Sequence, residues 1–110
     1  MEKFVKGDIV IVPFPFSDLS ESKKRPAMVI ADLKGDDVIL CQITSQFNND
    51  KYSVLLKDID LKSGALAKES YIRPNRLFTA DKNIILYKAA QLKDAKTKEV
   101  VDKIISIIQN

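Results

Sequence analysis

The chain has 110 residues, a length typical of one domain, and 45% of them are apolar, which is enough to build a core. The formal net charge of +3 permits an anionic partner without requiring one. The sequence has no histidine and a single cysteine. This composition excludes an intrachain disulfide and a zinc site of the usual Cys/His spacing, and it removes the commonest general base. We expect neither a metal nor another cofactor.

The apolar segments are too short for a membrane span, which needs about 18 consecutive apolar residues. The N-terminal segment also lacks the long apolar region and the small-residue cleavage site of a signal peptide. Cys41 lies in the apolar run VILC and is predicted to be a small buried core residue. We therefore expect a cytoplasmic protein that has no membrane partner.

Short runs rich in β-branched residues, separated by polar turns, make up the first half of the chain. Pro13 and Pro15 cannot donate to a β-ladder, so the first run is expected to end there or to become an edge. The pattern predicts strands at 8–12, 27–31 and 38–44, polar loops at 17–25 and 45–50, and a hairpin turn at 34–37.

The second half begins with further β-type segments. Residues 52–57 and 84–89 are predicted strands, and residues 58–69 are predicted to form an irregular connector around Gly64. Residues 70–80 read as an extended segment that Pro74 interrupts, which favours an edge or a bulge.

The C-terminal segment has the clearest helical periodicity in the chain. Asp94 is a plausible N-cap for a helix over 95–109. The apolar residues share one face at helical spacing: Val100, Val101, Ile104, Ile105 and Ile108. We predict that this face packs across a sheet, with a subunit interface as the alternative. The predicted fold class is mainly β, a small antiparallel barrel or half-barrel capped by a C-terminal helix.

Common catalytic signatures are absent, including a glycine-rich phosphate loop, a G-x-S-x-G elbow and an H-E-x-x-H pair. Three polar groups remain at predicted strand ends, and each alone is typical of a solvated loop or a turn. They are Lys24–Arg25, Thr44–Ser45 and the segment 73–76 (Arg-Pro-Asn-Arg). Together, guanidinium groups and hydroxyls can stabilise charge on a phosphate without a metal.

The order of four motifs, GDIVIVPFPF, RPAMVIA, ILCQITSQ and SYIRPNRLFTAD, resembles the MazF/PemK/Kid-like toxins of bacterial toxin–antitoxin systems. The resemblance covers about Gly7 to Asp81, and the C-terminal helix fits as well. It implies a single domain over residues 1–110 with an SH3-like barrel, found as a homodimer. It also implies a metal-independent, sequence-specific endoribonuclease that cuts single-stranded RNA, often mRNA, and whose site a cognate antitoxin blocks.

The resemblance also implies roles for particular residues. Arg25, before the proline of the second strand, would be central to catalysis, and Thr44 and Ser45 would contact the substrate phosphate and help catalysis. RNA contacts are implied for the following residues: Lys24, Gln46, Arg73 and Asn75. Asn75 stands where some members have an acid and cannot serve as a general base. The PFPF segment stands where many members have an acidic residue, so the proton acceptor is unassigned.

The mechanism expected from this resemblance is attack of the RNA 2′-hydroxyl on the adjacent phosphorus, which requires no metal and no protein nucleophile. Two alternatives stay open. One is a toxin of the same barrel type that poisons DNA gyrase through its C-terminal helix, although the ending IISIIQN lacks the aromatic end expected there. The other is a barrel that binds RNA or protein without catalysis.

Overall fold

A computed structural model describes residues 3–14, 23–47 and 50–110, which form one antiparallel sheet, two 3₁₀ turns and one helix. The seven strands within these residues lie in the order β4-β6-β3-β2-β1-β7-β5. They are β1 (Asp8–Phe14), β2 (Lys23–Asp32), β3 (Asp37–Thr44), β4 (Val54–Leu56), β5 (Leu61–Gly64), β6 (Ser70–Asp81) and β7 (Tyr87–Leu92). The helix α1 is Asp94–Gln109, and the 3₁₀ turns are Asp58–Asp60 and Lys82–Ile84.

The sheet curls into a half-barrel. Its two edge strands, β4 and β5, are consecutive in the chain, and only the turn Asp58–Asp60 and its flanking residue separate them. A short connection between the two edges requires the sheet to bend round on itself. The predicted fold class, mainly β with an antiparallel barrel-type sheet and one C-terminal helix, is confirmed in this curled form.

The strand β5 corrects the prediction of an irregular connector over 58–69. Residues 61–64 pair with β7, with Leu61 opposite Leu92 and Gly64 opposite Ala90. Gly64 has φ of +78°, and a Cβ there would overlap the backbone of the facing strand. The pairing partner is distant in sequence, so local periodicity carries no signal for this strand.

The first strand continues through Pro13 to Phe14 instead of ending at residue 12. Pro13 pairs with Lys24 on one side, whereas on the other side β7 pairs with β1 only from Asp8 to Ile11. The carbonyl of Ile11 accepts a hydrogen bond from Leu86 N–H on that other side. Backbone groups alternate along a strand, so the nitrogen of Pro13 also points toward the side where the ladder has ended. The strand is an edge at this point, as proline requires.

This extension of β1 also lengthens β2, which begins at Lys23 and not at residue 27 as predicted. The cationic triplet 23–25 pairs with Phe14, Pro13 and Val12 in turn. Arg25 therefore lies on a strand and not at the end of a loop. Residues 17–22 of the predicted loop lie outside the described residues, as do Pro15 and residues 48–49.

The other predicted elements differ from the structure mainly at their ends. The third strand and the hairpin turn before it are confirmed, with Gly35 in the turn at φ of +85°. The strand predicted at 52–57 is shortened to β4, and the one predicted at 84–89 is displaced to β7. The displacement has a packing cause, since Ile84 and Ile85 lie against an apolar cluster instead of pairing.

Apolar side chains lie on both faces of the sheet, because successive strand residues point to opposite sides. The helix-side cluster joins the sheet to α1 and includes Ile9, Met28, Cys41, Ile43, Ile72, Val100 and Ile104. The far-side cluster is Phe4, Val10, Val12, Ala27, Val29, Val38, Leu40 and Ala80. The segment around Phe4 and the pair Ile84 and Ile85 cover the far-side cluster.

The helix α1 covers one face of the sheet with part of its predicted apolar face. Val100 and Ile104 are buried, whereas Ile105 and Ile108 are 45% and 70% exposed. Lys93 occupies the N-cap position, so the prediction that Asp94 is the N-cap is wrong. Asp94 lies in the first turn, where a negative charge interacts favourably with the helix dipole. No helix in the described part of the chain is long and apolar enough to cross a membrane.

A fully buried carboxylate, Asp8, holds the start of β1 in place. Its Oδ2 accepts a hydrogen bond from Val5 N–H at 2.9 Å, and its Oδ1 accepts one from Gln91 Nε2 at 3.0 Å. Lys88 Nζ lies 3.2 Å from the same Oδ1. The carboxylate therefore ties the N-terminal segment to β7, and a buried charge is tolerated because it is paired and hydrogen-bonded.

We expect Asp8→Asn to lower the free energy of unfolding by about 1–3 kcal/mol, because the amide replaces an acceptor with a donor in a buried site. Urea denaturation monitored by circular dichroism measures this change. The matched control is Asp102→Asn on the exposed surface of α1, where Asp102 pairs with Lys98 at 2.6 Å. The control substitution should lower the free energy of unfolding by less than about 1 kcal/mol. Equal stability of the Asp8 variant and the parent protein would contradict the prediction.

Candidate active site

Arg25 and Thr44 lie on the same face of the sheet. Ala27 of β2 is paired with Gln42 of β3. Arg25 lies two residues before Ala27, and Thr44 lies two residues after Gln42, so both share the face of that pair. It is the face of the far-side cluster, opposite to α1. Both side chains are partly exposed. Two residues distant in sequence thus lie on one accessible face of adjacent strands.

The hydroxyl of Thr44 is oriented by its own backbone turn. Its Oγ1 accepts a hydrogen bond from Gln46 N–H at 3.2 Å. A threonine hydroxyl has one proton to donate and two lone pairs to accept. Because the contact with Gln46 uses a lone pair, the proton can be donated to an anionic oxygen beside Arg25.

Ser45 and Lys24 lie against a different surface. Lys24 precedes Arg25 on β2, so its side chain is directed to the opposite face. Both residues line a cavity of about 270 Å³, whose other walls are Ile11, Pro26, Leu66, Ala67, Lys68 and Ser70. The structure therefore places Arg25 and Thr44 on one face of adjacent strands, whereas Lys24 and Ser45 line a cavity on the other side. Lys68 and Ser70 were not singled out in the sequence.

Arg73 is largely buried and paired with a carboxylate. Its Nη2 lies 3.1 Å from Asp50 Oδ2, and the two side chains are only 14% and 11% exposed. A hydrogen bond from Tyr52 N–H, assisted by Arg73 and by the Asn75 side chain, holds the pKa of Asp50 below its usual range. The carboxylate is therefore ionised at neutral pH. Sequence reasoning missed Asp50, since the two partners are 23 residues apart and no local pattern links them.

Arg73 lies on a large bulge in β6. Leu77 pairs with Cys41 and Ile72 pairs with Ile43, so residues 73–76 of β6 lie opposite the single residue Gln42. The predicted interruption at Pro74 is confirmed. Asn75 and Arg76 are exposed on the bulge, and Gln46 is exposed beyond β3. Gln42 shares the face of Thr44 and lines a cavity of about 150 Å³ with the following residues: Phe14, Arg76, Leu77 and Phe78. Gln42 was not among the predicted site residues.

The only cysteine in the sequence lies beneath the bulge. Cys41 is fully buried, which confirms the prediction that it is a core residue, and its Sγ donates a hydrogen bond to the Arg73 carbonyl at 2.9 Å. Burial raises the pKa of the Cys41 thiol to about 12. The thiol thus stays protonated near neutral pH and helps to fix the backbone of the bulge.

We expect Cys41 of the native protein to be unreactive toward Ellman's reagent at pH 8, because only the thiolate attacks the reagent. In denaturant, where the pKa returns to near 8.5, the same assay should detect one thiol per chain. The native thiol should gain reactivity only toward pH 12 or upon unfolding. Rapid stoichiometric labelling of folded protein at pH 8 would show that the site is open.

The chemistry available to these groups is electrostatic. Within residues 3–14, 23–47 and 50–110, no group of three or more acidic, histidine or cysteine side chains is arranged to hold a metal ion. A guanidinium and an oriented hydroxyl on one face are suited to binding a phosphodiester and stabilising additional charge on it.

Similarity to known proteins agrees with this geometry. A family model described as PemK-like, MazF-like toxin of type II toxin–antitoxin systems matches residues 5–108. No protein with a curated description matches the sequence. A Mycobacterial endoribonuclease solved with its cognate antitoxin superimposes with a TM-score of 0.76 and 11% identity over 97% of this chain and 96% of that chain.

Two further solved structures have the same fold. MazF in the MazE–MazF complex from Deinococcus radiodurans superimposes with a TM-score of 0.77 and 19% identity, covering 99% of this chain and 98% of that chain. The Mycobacterium tuberculosis toxin MazF-mt6 gives a TM-score of 0.72 and 13% identity, covering 93% and 96% of the two chains. The low identities establish the fold, and the family model spans nearly the whole chain. The protein thus belongs to the PemK-like, MazF-like toxin family of type II toxin–antitoxin systems.

Proposed function

We propose that this toxin is an endoribonuclease that cleaves single-stranded RNA, including mRNA, without a metal ion. The observation that carries the proposal is the placement of Arg25 and Thr44 on one accessible face of adjacent strands. Similar proteins support the same activity, since the Mycobacterial structure of the same fold is described as an endoribonuclease. Residues 1–110 would act as a single toxin domain.

In the proposed reaction the 2′-oxygen of the substrate attacks the adjacent phosphorus, and the bond from phosphorus to the 5′-oxygen breaks. The 2′-proton passes to a base, and the leaving oxygen takes up a proton. The products are a 2′,3′-cyclic phosphate and a 5′-hydroxyl end. Arg25 stabilises the extra negative charge on the phosphorane, because a guanidinium is planar and cationic and forms paired hydrogen bonds to phosphate oxygens. Thr44 donates to a non-bridging oxygen.

The remaining predicted site residues are assigned to binding of the RNA chain on either side of the scissile phosphate. Lys24 and Ser45 face the 270 Å³ cavity and would contact the neighbouring nucleotide there. Gln46 and Asn75 are exposed beside Thr44 and on the bulge, respectively, where each can contact a base edge. Arg73 would act mainly by positioning, because its guanidinium is paired with Asp50.

The proposed partners follow from the same family. A cognate antitoxin would block the RNA site, as the toxin–antitoxin complexes of similar fold suggest. A homodimer is proposed because the helix α1 exposes Ile105 and Ile108 next to its buried face. We place the toxin in the cytoplasm, where its RNA substrate and antitoxin are found.

Incubation of the purified protein with a long RNA of mixed sequence, followed by mapping of the 5′ ends, tests the proposed function. We expect cuts at a short recurring sequence, with 5′-hydroxyl and 2′,3′-cyclic phosphate ends, and full activity in EDTA. A DNA strand of the same sequence should bind and stay intact, since it lacks the 2′-hydroxyl. Cleavage of that DNA, loss of activity in EDTA, or intact RNA would each contradict the proposal.

A further inference from the structure

We propose that the ring of Phe47 is a stacking surface for an unpaired nucleobase of the substrate, and that the Arg73–Asp50 ion pair positions this ring. The inference rests on the proposed function, because it requires that single-stranded RNA occupies the face of Arg25 and Thr44. It assigns a ligand to an aromatic side chain that neither the sheet nor the helix buries.

Phe47 is an exposed aromatic residue beside the candidate catalytic hydroxyl. The ring is 65% exposed, and its centroid lies 5.5 Å from that of Tyr71 at an interplanar angle of 56°. Tyr71 is in turn paired with Thr44 in the ladder between β3 and β6. The ring is therefore supported by Tyr71 and open to solvent elsewhere, only three positions along the chain from Thr44.

The described residues before and after Phe47 form hydrogen bonds that hold them in place. Before the ring, Gln46 N–H donates to Thr44 Oγ1. After it, Asp50 accepts from Tyr52 N–H and pairs with Arg73 on the bulge of β6. The ion pair holds Asp50 against β6, the strand that also carries Tyr71, and so restricts the positions available to the Phe47 ring three residues earlier.

Cationic side chains on the face of Thr44 and in the chain after Phe47 favour a nucleic acid over an apolar protein segment as the ligand. Arg25 is partly exposed on the face that holds Thr44, and the exposed Lys51 lies with its Nζ 5.7 Å from the centre of the Tyr52 ring. Aromatic faces next to cations are the usual binding surface for single strands, where bases stack and phosphates meet positive charge. The negative charge of Asp50 is compensated by Arg73, so it repels a passing phosphate less.

Fluorescence anisotropy with two uncleavable probes of equal length tests the stacking surface. One probe is single-stranded DNA of mixed sequence, and the other is the same backbone with abasic sites throughout. We expect Phe47→Ala to weaken binding of the first probe by about 5- to 100-fold, as loss of one stacked base predicts, and to leave the abasic probe unchanged. Phe47→Tyr should bind like the parent protein. Ile59→Ala, at an exposed apolar residue of the turn Asp58–Asp60, is the matched control and should change neither probe.

The positioning role of the ion pair is tested with Asp50→Asn, alone and combined with Phe47→Ala. The single variant should weaken binding of the base-containing probe. It should leave binding of the abasic probe equal or make it stronger, because the Arg73 guanidinium is then no longer neutralised by a carboxylate. The double variant should bind the base-containing probe no more weakly than Phe47→Ala does, because the effects of two coupled substitutions on the binding free energy do not add. An equal loss of affinity for both probes in Asp50→Asn, or losses of affinity that add in the double variant, would overturn the positioning role.

These outcomes are separable from failure of the proposed function, because neither probe is cleaved. A protein that cuts RNA but whose Phe47→Ala variant binds both probes like the parent protein would overturn only the stacking inference. Binding of a protein segment instead would appear as Phe47→Ala weakening capture of the antitoxin while leaving both probes unaffected, and this result would also overturn it. A parent protein that leaves RNA intact, yet shows base-dependent binding through Phe47, would refute the nuclease and keep the stacking surface.

Discussion

Replacement of Arg25 by alanine is expected to reduce the rate of RNA cleavage by at least about 10²–10³-fold, the usual cost of losing one well-placed electrostatic group in an active site. The side chain lies at the partly exposed end of β2, so the change leaves the core intact. The loss should appear in kcat, because the additional charge on phosphorus exists only in the transition state. Single-turnover cleavage of a short RNA that contains the mapped site measures it.

Two companion variants define the role of Arg25. Arg25→Lys keeps the charge but loses the planar two-point contact, so it should recover only part of the rate. Lys98→Ala removes a cation of equal charge from the exposed surface of α1 and should cleave RNA like the parent protein. If Arg25→Ala cleaves at the parental rate while it unfolds at the parental temperature, the proposed mechanism is wrong.

Replacement of Thr44 by valine is expected to lower kcat by about 10²-fold or more, because valine has nearly the same shape but cannot donate to the phosphate. The variant also leaves Gln46 N–H without the acceptor it uses at 3.2 Å. That donor is exposed and can bond to water, so the cost in stability should stay within about 1 kcal/mol. The same single-turnover assay, together with thermal unfolding, separates the two effects.

Thr44→Ser is the matched control, since it keeps the hydroxyl and removes only a methyl group. It should retain most of the activity. A Thr44→Val variant that raises KM and leaves kcat unchanged would mean that the hydroxyl contributes only to ground-state binding. Parental values of both constants would remove Thr44 from the site.

The structure also bears on the proton acceptor of the reaction. Asn75 cannot accept the 2′-proton as a base, and its side chain forms a hydrogen bond to the Asp50 carboxylate. The pKa of Asp50 is held below its usual range and its side chain is paired with Arg73, which makes it a weak base. The arrangement therefore suits electrostatic stabilisation of the phosphorane better than strong base catalysis by a side chain.

Sequence patterns alone identified the elements of this protein that depend on local chemistry. The β-branched runs, the turn at Gly35, the interruption at Pro74 and the helical periodicity near the C-terminus are each visible within a short window. The burial of Cys41 followed from its apolar neighbours. The resemblance of the ordered motifs identified the family, and Arg25 and Thr44 with it.

Tertiary structure alone decided the features that depend on contacts between distant residues. The strand β5 exists because β7 pairs with it, and β2 begins at Lys23 because β1 continues past Pro13. Arg73 meets Asp50 across 23 residues, an ion pair that no local sequence pattern indicates. Alternation along β2 directs Lys24 to the face opposite that of its neighbour Arg25. Ser45 follows the end of β3 and lines the same cavity as Lys24, although it is adjacent to Thr44 in sequence. A one-residue change of register moves every side chain of a strand to the other face of the sheet, and the register of β2 is fixed by its pairing with both β1 and β3.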